Sequence, residues 1–345
     1  MELKDFLYYL PDELIAQHPF AKRDQSRLLF LDKKKEKMED SFFFQLSDFL
    51  QSGDVLVIND SRVIPARLFG KKPSGGILEI LLLTRKAINL DSQIWEALLR
   101  PAKKLHENDV IILENKCEAR VLERISDKKW LLEFFAPNGF ETYLNTYGRV
   151  PLPPYIKRKK TAESNVTDKE RYQTIYAKNP GSIAAPTAGL HFSSDVLQTL
   201  QTKDIQIAPI TLHVGYGTFM PIEVNEVEKH VLESEYYEIS EDSSRIINNS
   251  QRVIAVGTTS TRTLESAADN DGYVEAKSGF TNLFIYPGYK FKRVNGLLTN
   301  FHLPKSSLFL LVCAFAGSDL IKKAYSHAVE KRYLFYSYGD CMLII

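Results

Sequence analysis

The sequence predicts an α/β main domain, a mixed sheet flanked by helices, with an inserted small antiparallel β-barrel domain. Three observations predict it. Apolar strand runs at 54–58 and 253–256 each end in a polar cluster, the texture of buried strands in an open α/β sheet. From Pro65 the texture changes to short strand-like runs at even spacing, without helical periodicity. Helical patterns near 194–203, 308–315 and 319–331 all lie outside that region. The reading divides the chain into a discontinuous α/β catalytic domain, 1–63 and 150–345, and a barrel domain, 64–149.

Taken in order, residues 3–50 read as a mostly helical opening with one hairpin. Pro11 followed by Asp12 and Glu13 marks a helix start. Residues 28–31 read as a strand, 33–37 as a hairpin tip, and Ser47 as the cap of a short helical turn before Gly53. The strand at 54–58 runs into Asn59-Asp60-Ser61-Arg62. Ligands bind at such strand ends; an Asx turn that lets the strand leave the sheet accounts for the same residues. Strand-like runs at 77–83, 94–99, 110–113, 117–122 and 130–135 are separated by turn residues, enough for a closed barrel of roughly 80–90 residues. Residues 148–155, with Pro151, Pro153 and Pro154, form a stiff return linker. Lys157-Arg158-Lys159-Lys160 opens a charged loop to 169, read as a phosphate contact or as a solvated loop.

The chain is organised around Pro186-Thr187-Ala188-Gly189-Leu190-His191-Phe192. Pro186 fixes the entry to a turn, and Gly189 permits positive φ or close approach of a ligand. Ser193 reads as the N-cap of a helix at 195–201. That places His191 on a strand-to-helix turn beside free backbone N–H groups. A capped turn with a buried histidine is the plainer reading of the same stretch. The strand at 205–212 runs into His213-Val214-Gly215-Tyr216-Gly217-Thr218-Phe219, where the glycines admit a planar group or mark a bulge. The run 253–256 opens into Gly257-Thr258-Thr259-Ser260-Thr261-Arg262-Thr263, a donor-rich anion cradle at a helix start. It carries neither GK[ST] nor GxGxxG, so a carboxylate or a ribose suits it better than a triphosphate. Residues 280–286 read as strand, 299–307 as a third polar strand end holding His302, and 333–340 as a final strand and turn. His191, His213, His302, Asp60, Arg62 and the Thr258, Thr259, Arg262 cradle are thus all expected at strand ends, converging on one mouth.

Composition bounds the partners. The chain is 44% hydrophobic and 25% charged, with net charge +1 from 44 Lys+Arg against 43 Asp+Glu. A polyanion must therefore be held by a local patch rather than by the whole surface. Three cysteines without metal-type spacing argue against disulfides and structural zinc. The first six residues are of mixed charge, unlike a signal peptide. The longest apolar run, 308–316, falls short of the about 20 residues a bilayer requires. The expectation is a cytoplasmic protein with no membrane and no metal.

Asn59-Asp60-Ser61-Arg62-Val63, the 186–192 block, 212–219, Gly257-Thr258-Thr259-Ser260 and 299–307 together resemble the S-adenosylmethionine:tRNA ribosyltransferase-isomerase family of queuosine biosynthesis. The resemblance runs from Ile15 to Tyr338-Gly339-Asp340; Thr261 and Cys341 depart from the family's commonest wording. It implies transfer and isomerisation of the ribosyl part of S-adenosylmethionine onto 7-aminomethyl-7-deazaguanine at the tRNA wobble position. The products are epoxyqueuosine-tRNA, adenine and methionine. S-adenosylmethionine is consumed as a co-substrate, and no cofactor is implied. On this footing His191, His213, Asp60 and Arg62 are the candidate catalytic residues, with His191 or His213 as base and leaving-group acid. Thr187, Gly189, Gly215, Phe219, Gly257, Thr258, Thr259, Arg262 and His302 are the candidate substrate-binding residues. Lys71, Lys72, Lys103, Lys104, Arg332 and the 157–160 run are candidate tRNA contacts. An S-adenosylmethionine-dependent tRNA methyltransferase and a non-catalytic RNA-binding protein are the competing readings.

Overall fold

The apolar runs assemble as a nine-stranded mixed sheet in a computed structural model that describes residues 1–158, 162–219 and 221–345, with backbone alone for 162–166 and 219. Its strand order is Lys277–Thr281, Glu235–Ile239, Gln206–Leu212, Asp54–Asn59, Arg252–Val256, Gly296–Asn300, Cys341–Ile344, Arg27–Asp32 and Lys37–Phe42. The four strands from Gln206–Leu212 to Gly296–Asn300 are mutually parallel, so Leu212, Asn59, Val256 and Asn300 all end on one edge. The remaining pairings are antiparallel, except that Cys341–Ile344 runs parallel to Arg27–Asp32.

Side chains alternate across a strand, and here both faces are covered. Val55, Val57, Val253, Ala255 and Leu297 enter one core with the helices Ser307–Ala316 and Ser318–Glu330. Leu56, Ile58, Ile254, Val256 and Leu298 enter the opposite core with Phe43, Phe192 and the helix Ser194–Thr202. That is why these strands read as unbroken apolar runs. Each buried Val, Leu, Ile or Phe side chain among them stabilises by roughly 1.5–3 kcal/mol. Register at the strand starts is held by an ion pair: Arg252 donates to the buried Asp54 carboxylate from Nε at 2.8 Å and Nη2 at 2.6 Å.

The chain separates into two units. One comprises Met1–Arg62, Pro153–Arg158 and Arg171–Ile345; the other comprises Val63–Leu152 with the described residues of 159–170. The second unit contains a closed antiparallel barrel of Lys129–Phe135, Ser92–Arg100, Ile77–Ile88, Arg67–Lys71, Val110–Ile112 and Glu118–Arg124. Trp130, Leu132 and Phe134 alternate inward along one strand, the period-2 signal seen in the sequence.

Several local expectations fail for physical reasons. The opening is not helical: it forms the short 3-10 turns Leu3–Phe6, Asp12–Leu14 and Arg23–Gln25. Each inserts at most two buried side chains, too few to sustain an amphipathic helix. Ser47 lies buried inside the 3-10 segment Phe43–Phe49 and caps nothing. The strand expected at 280–286 is Lys277–Thr281; Thr281 Oγ1 then accepts from Leu283 N at 3.1 Å and turns the chain out of the sheet. The last strand is Cys341–Ile344, not 333–340. Residues 334–340 curl around Asp340, which accepts from Arg27 N at 2.6 Å and Leu334 N at 2.7 Å. The charged stretch expected as a loop contains the helix Ala162–Arg171. Arg67–Lys71, Glu235–Ile239 and the helix Glu241–Asn249, capped by Ser240, carried no expectation.

Cys117, Cys313 and Cys341 are buried free thiols. Among the described residues, no group of three or more His, Cys, Asp or Glu side chains is placed to hold a metal, and no helix is long and apolar enough to cross a membrane.

Candidate active site

Four segments leave the parallel strands at the shared edge. After Asn59 the chain makes the Asx-type turn: Asn59 Oδ1 accepts from Ser61 N and Leu212 N, both at 3.0 Å. Asp60 is buried. Its carboxylate accepts from Thr211 Oγ1 at 2.7 Å and from Asn179 Nδ2 at 3.1 and 3.2 Å. Arg62 is exposed.

After Leu212, the His213 ring stacks on Tyr236 with centroids 5.6 Å apart, and its Nδ1 lies 2.8 Å from Ser61 Oγ. Burial lowers the His213 pKa, partly opposed by the Asp60 and Glu238 carboxylates. Ser61 Oγ continues to Ser182 Oγ at 2.6 Å, which accepts from Val214 N at 2.8 Å.

After Val256, Gly257 turns the strand into the helix Gly257–Ala267 at φ 90°, a conformation that strains any side-chain-bearing residue. After Asn300, the chain reaches Ser306, whose Oγ caps the helix Ser307–Ala316 by accepting from Phe309 N at 3.1 Å.

These two helix starts face a cavity of about 270 Å³, near the lower end of the about 300–1,000 Å³ typical of ligand pockets. Its walls include Thr187, Val214, Thr218, Gly257, Thr258, Thr259, Asn300, His302, Lys305, Ser306, Tyr155 and Tyr336. Two N-terminal helix dipoles and one ammonium favour an anionic group here. The described lining holds no Asp or Glu. Thr259 Oγ1 is buried and has no hydrogen-bond partner among the described residues. The Tyr155 and Tyr336 rings, 3.9 Å apart, supply an aromatic wall.

So Thr187, Gly257, Thr258, Thr259 and His302 are brought together; His191, His213, Asp60, Arg62, Gly189, Gly215 and Arg262 do not line this cavity. The Phe219 side chain lies outside the described residues, as do Lys159 and Lys160.

His191 sits one hydrogen bond behind the wall. Asn300 Nδ2 donates to the carbonyl of Tyr336 at 3.1 Å, which fixes the amide orientation, and to His191 Nε2 at 3.0 Å. Nε2 is therefore the acceptor nitrogen, and Nδ1–H donates to Ser26 Oγ at 2.7 Å. Burial, aided by Arg23, pushes its pKa down to about 3. With both nitrogens engaged, His191 is a neutral strut. The space beside it, about 20 Å³ between Phe20, Arg23 and Tyr338, has room for about one water molecule.

Gly189 serves packing. A Cβ there would stand 2.1 Å from Tyr176 Oη and 2.8 Å from Thr174 Cγ2. Arg262 is spent inward as well. It pairs with buried Glu235 and donates to the Leu283 carbonyl at 2.9 Å. Glu235 in turn accepts from Gly215 N at 2.7 Å and Thr218 Oγ1 at 3.1 Å. Arg262 thus shapes the cavity wall through Glu235 without reaching the cavity.

Sequence reasoning did not single out Asn300, Lys305 or Ser306, although all three lie in the 299–307 block. Tyr155 and Tyr336 gave no signal among 17 tyrosines.

Comparison with known proteins agrees with this architecture. The family model described as queuosine biosynthesis protein matches residues 3–344. An S-adenosylmethionine:tRNA ribosyltransferase-isomerase from Syntrophus aciditrophicus (strain SB) is 55% identical, with 100% of each chain covered. The crystal structure of an S-adenosylmethionine tRNA ribosyltransferase from Thermotoga maritima is 34% identical, with a TM-score of 0.55 over 99% of this chain and 100% of its own. Sheet, barrel and full-length similarity concur, and the chain belongs to the queuosine biosynthesis protein family.

Proposed function

We propose that this chain is an S-adenosylmethionine:tRNA ribosyltransferase-isomerase. It moves the ribosyl part of S-adenosylmethionine onto the aminomethyl group of 7-aminomethyl-7-deazaguanine at the tRNA wobble position. The ribose is rebuilt as an epoxycyclopentane, and adenine and methionine leave. The observation that carries the reading is the strand-end cavity of a chain 55% identical, end to end, to a protein of that name.

The cavity suits the co-substrate's charges. Lys305, the Gly257 helix start and the hydroxyls of Thr258 and Thr259 receive the methionine carboxylate. The Tyr155–Tyr336 wall receives the purine. Arg262 and Glu235 anchor the 215–218 segment through Gly215 N and Thr218 Oγ1, and Thr218 lines the cavity. Asp60, Arg62 and His213, on the same sheet edge, orient the acceptor nucleobase. Closure by the tRNA excludes water while ring-opened intermediates exist. S-adenosylmethionine is consumed, no cofactor or metal takes part, and the reaction takes place in the cytoplasm.

The test is chromatography of small products after incubation with S-adenosylmethionine and tRNA bearing the aminomethyl base. Adenine and methionine in equal amounts, matching modified tRNA, are expected. S-adenosylhomocysteine identifies a methyltransferase instead. Bound tRNA with unconsumed S-adenosylmethionine identifies a binding protein.

A further inference from the structure

We infer that His302 is the proton-transfer residue of this reaction, a role that rests on the ribosyl-transfer reading above. Of the three strand-end histidines, His302 is the one that lines the cavity. Its Nε2 lies 2.8 Å from Thr299 Oγ1, and its Nδ1 has no hydrogen-bond partner among the described residues. Its main chain is pinned twice: N donates to Tyr325 Oη at 3.1 Å, and O accepts from Tyr8 Oη. A ring held at one nitrogen and free at the other, on an immobilised backbone, is the geometry a general acid or base requires.

The other titratable groups on the cavity wall do not compete. No carboxylate is present among the described lining residues. Tyr155 Oη is 2.6 Å from Ser337 Oγ, and burial raises the pKa of both Tyr155 and Tyr336, so both stay protonated. Lys305 is the remaining charged group among the described lining residues and suits the carboxylate. His191 has both nitrogens occupied. Burial pushes the His302 pKa down to about 3, which keeps the resting ring neutral and makes its conjugate acid a strong donor.

With hydrogen on Nε2, donated to Thr299 Oγ1, the Nδ1 lone pair takes a proton from the carbon beside the sulfonium. The C–H bond breaks and its pair forms a double bond to the neighbouring ring carbon, whose bond to the ring oxygen breaks with its pair going to that oxygen; the imidazole becomes imidazolium. An oxygen pair then forms the carbonyl at the carbon that bears adenine, the carbon–nitrogen bond breaks with its pair going to the purine, and the imidazolium gives its proton to the purine. His302 returns neutral, and no external oxidant or reductant is needed.

His302→Gln, with wild type as control, tests this. Adenine release at saturating S-adenosylmethionine should fall about 100-fold or more, the usual span of a general acid–base group. S-adenosylmethionine affinity should stay within about 3-fold, and free imidazole should restore part of the activity lost in His302→Ala. A folded His302→Gln that releases adenine within about 3-fold of wild type, or that loses affinity alone, overturns the assignment. Should neither His302 variant fold, Thr299→Val decides: an altered kcat–pH profile supports the role, an unchanged one overturns it. Wild type that releases no adenine overturns the ribosyl-transfer reading itself, whereas an active wild type with an equally active variant removes His302 alone.

Discussion

Asn300 Nδ2 donates to His191 Nε2 at 3.0 Å, so a residue on the cavity wall is held by a histidine standing behind it. The consequence is a division of labour: the motif histidine supports the wall, and His302, just past the end of the strand Gly296–Asn300, lines the cavity.

His191→Gln should therefore act first on stability. Losing the bonds to Ser26 and Asn300 costs about 1–3 kcal/mol, since a buried amide or hydroxyl is left unsatisfied. Denaturant melts of the two proteins measure it, and adenine release should fall far less than for His302→Gln.

The same pair of proteins gives a pH signature. The His191 pKa is about 3 when folded, against about 6.5 when unfolded. Between these values the unfolded chain binds the extra proton, so stability rises with pH; it is lost as pH falls from about 6.5 toward 3. The stability of wild type minus that of His191→Gln should shrink over that window by up to about 1.4 kcal/mol per pH unit. A pH-independent difference would mean that the ring is not buried neutral.

Arg262→Ala should cost about 3–5 kcal/mol, because it leaves the buried Glu235 carboxylate without its partner. Adding Glu235→Gln should recover part of that loss, as read by thermal melting of the double variant. A direct carboxylate contact from Arg262 would instead raise the S-adenosylmethionine KM at unchanged stability.

How much of this was legible follows from the physics of each stretch. Strands buried on both faces, such as Asp54–Asn59 and Arg252–Val256, announce themselves as apolar runs whose ends mark the site edge. The barrel was legible from the spacing of its turns. Direction was not: the motif around His191 shows that a turn is made, but a ring one bond behind the wall and a ring on the wall have the same sequence signature. Arg262 misleads in the same way, since the pattern cannot reveal that Glu235, 27 positions earlier, claims it. The single-residue insertions at Leu3, Phe6 and Leu14 carry no periodicity, so the opening was misread as helix.

For tRNA, neutralising Lys157, Arg158, Lys159 and Lys160 together should raise the tRNA KM more than it lowers kcat, and the wild-type KM should rise with salt. Arg158 already donates to the Gln17 carbonyl at 2.6 Å, so a single Lys157→Ala should retain part of the effect at unchanged stability. An unchanged KM in steady-state assays removes this segment from the tRNA site.

The central claim is that the cavity between the Gly257 and Ser306 helix starts holds S-adenosylmethionine. Calorimetric titration of S-adenosylmethionine into Thr187→Trp, which places an indole at the half-buried wall position, tests it most directly. With the melting temperature of the variant near that of wild type, the account predicts a Kd raised at least about 10-fold, a loss of about 1.4 kcal/mol. A Kd equal to that of wild type would contradict it.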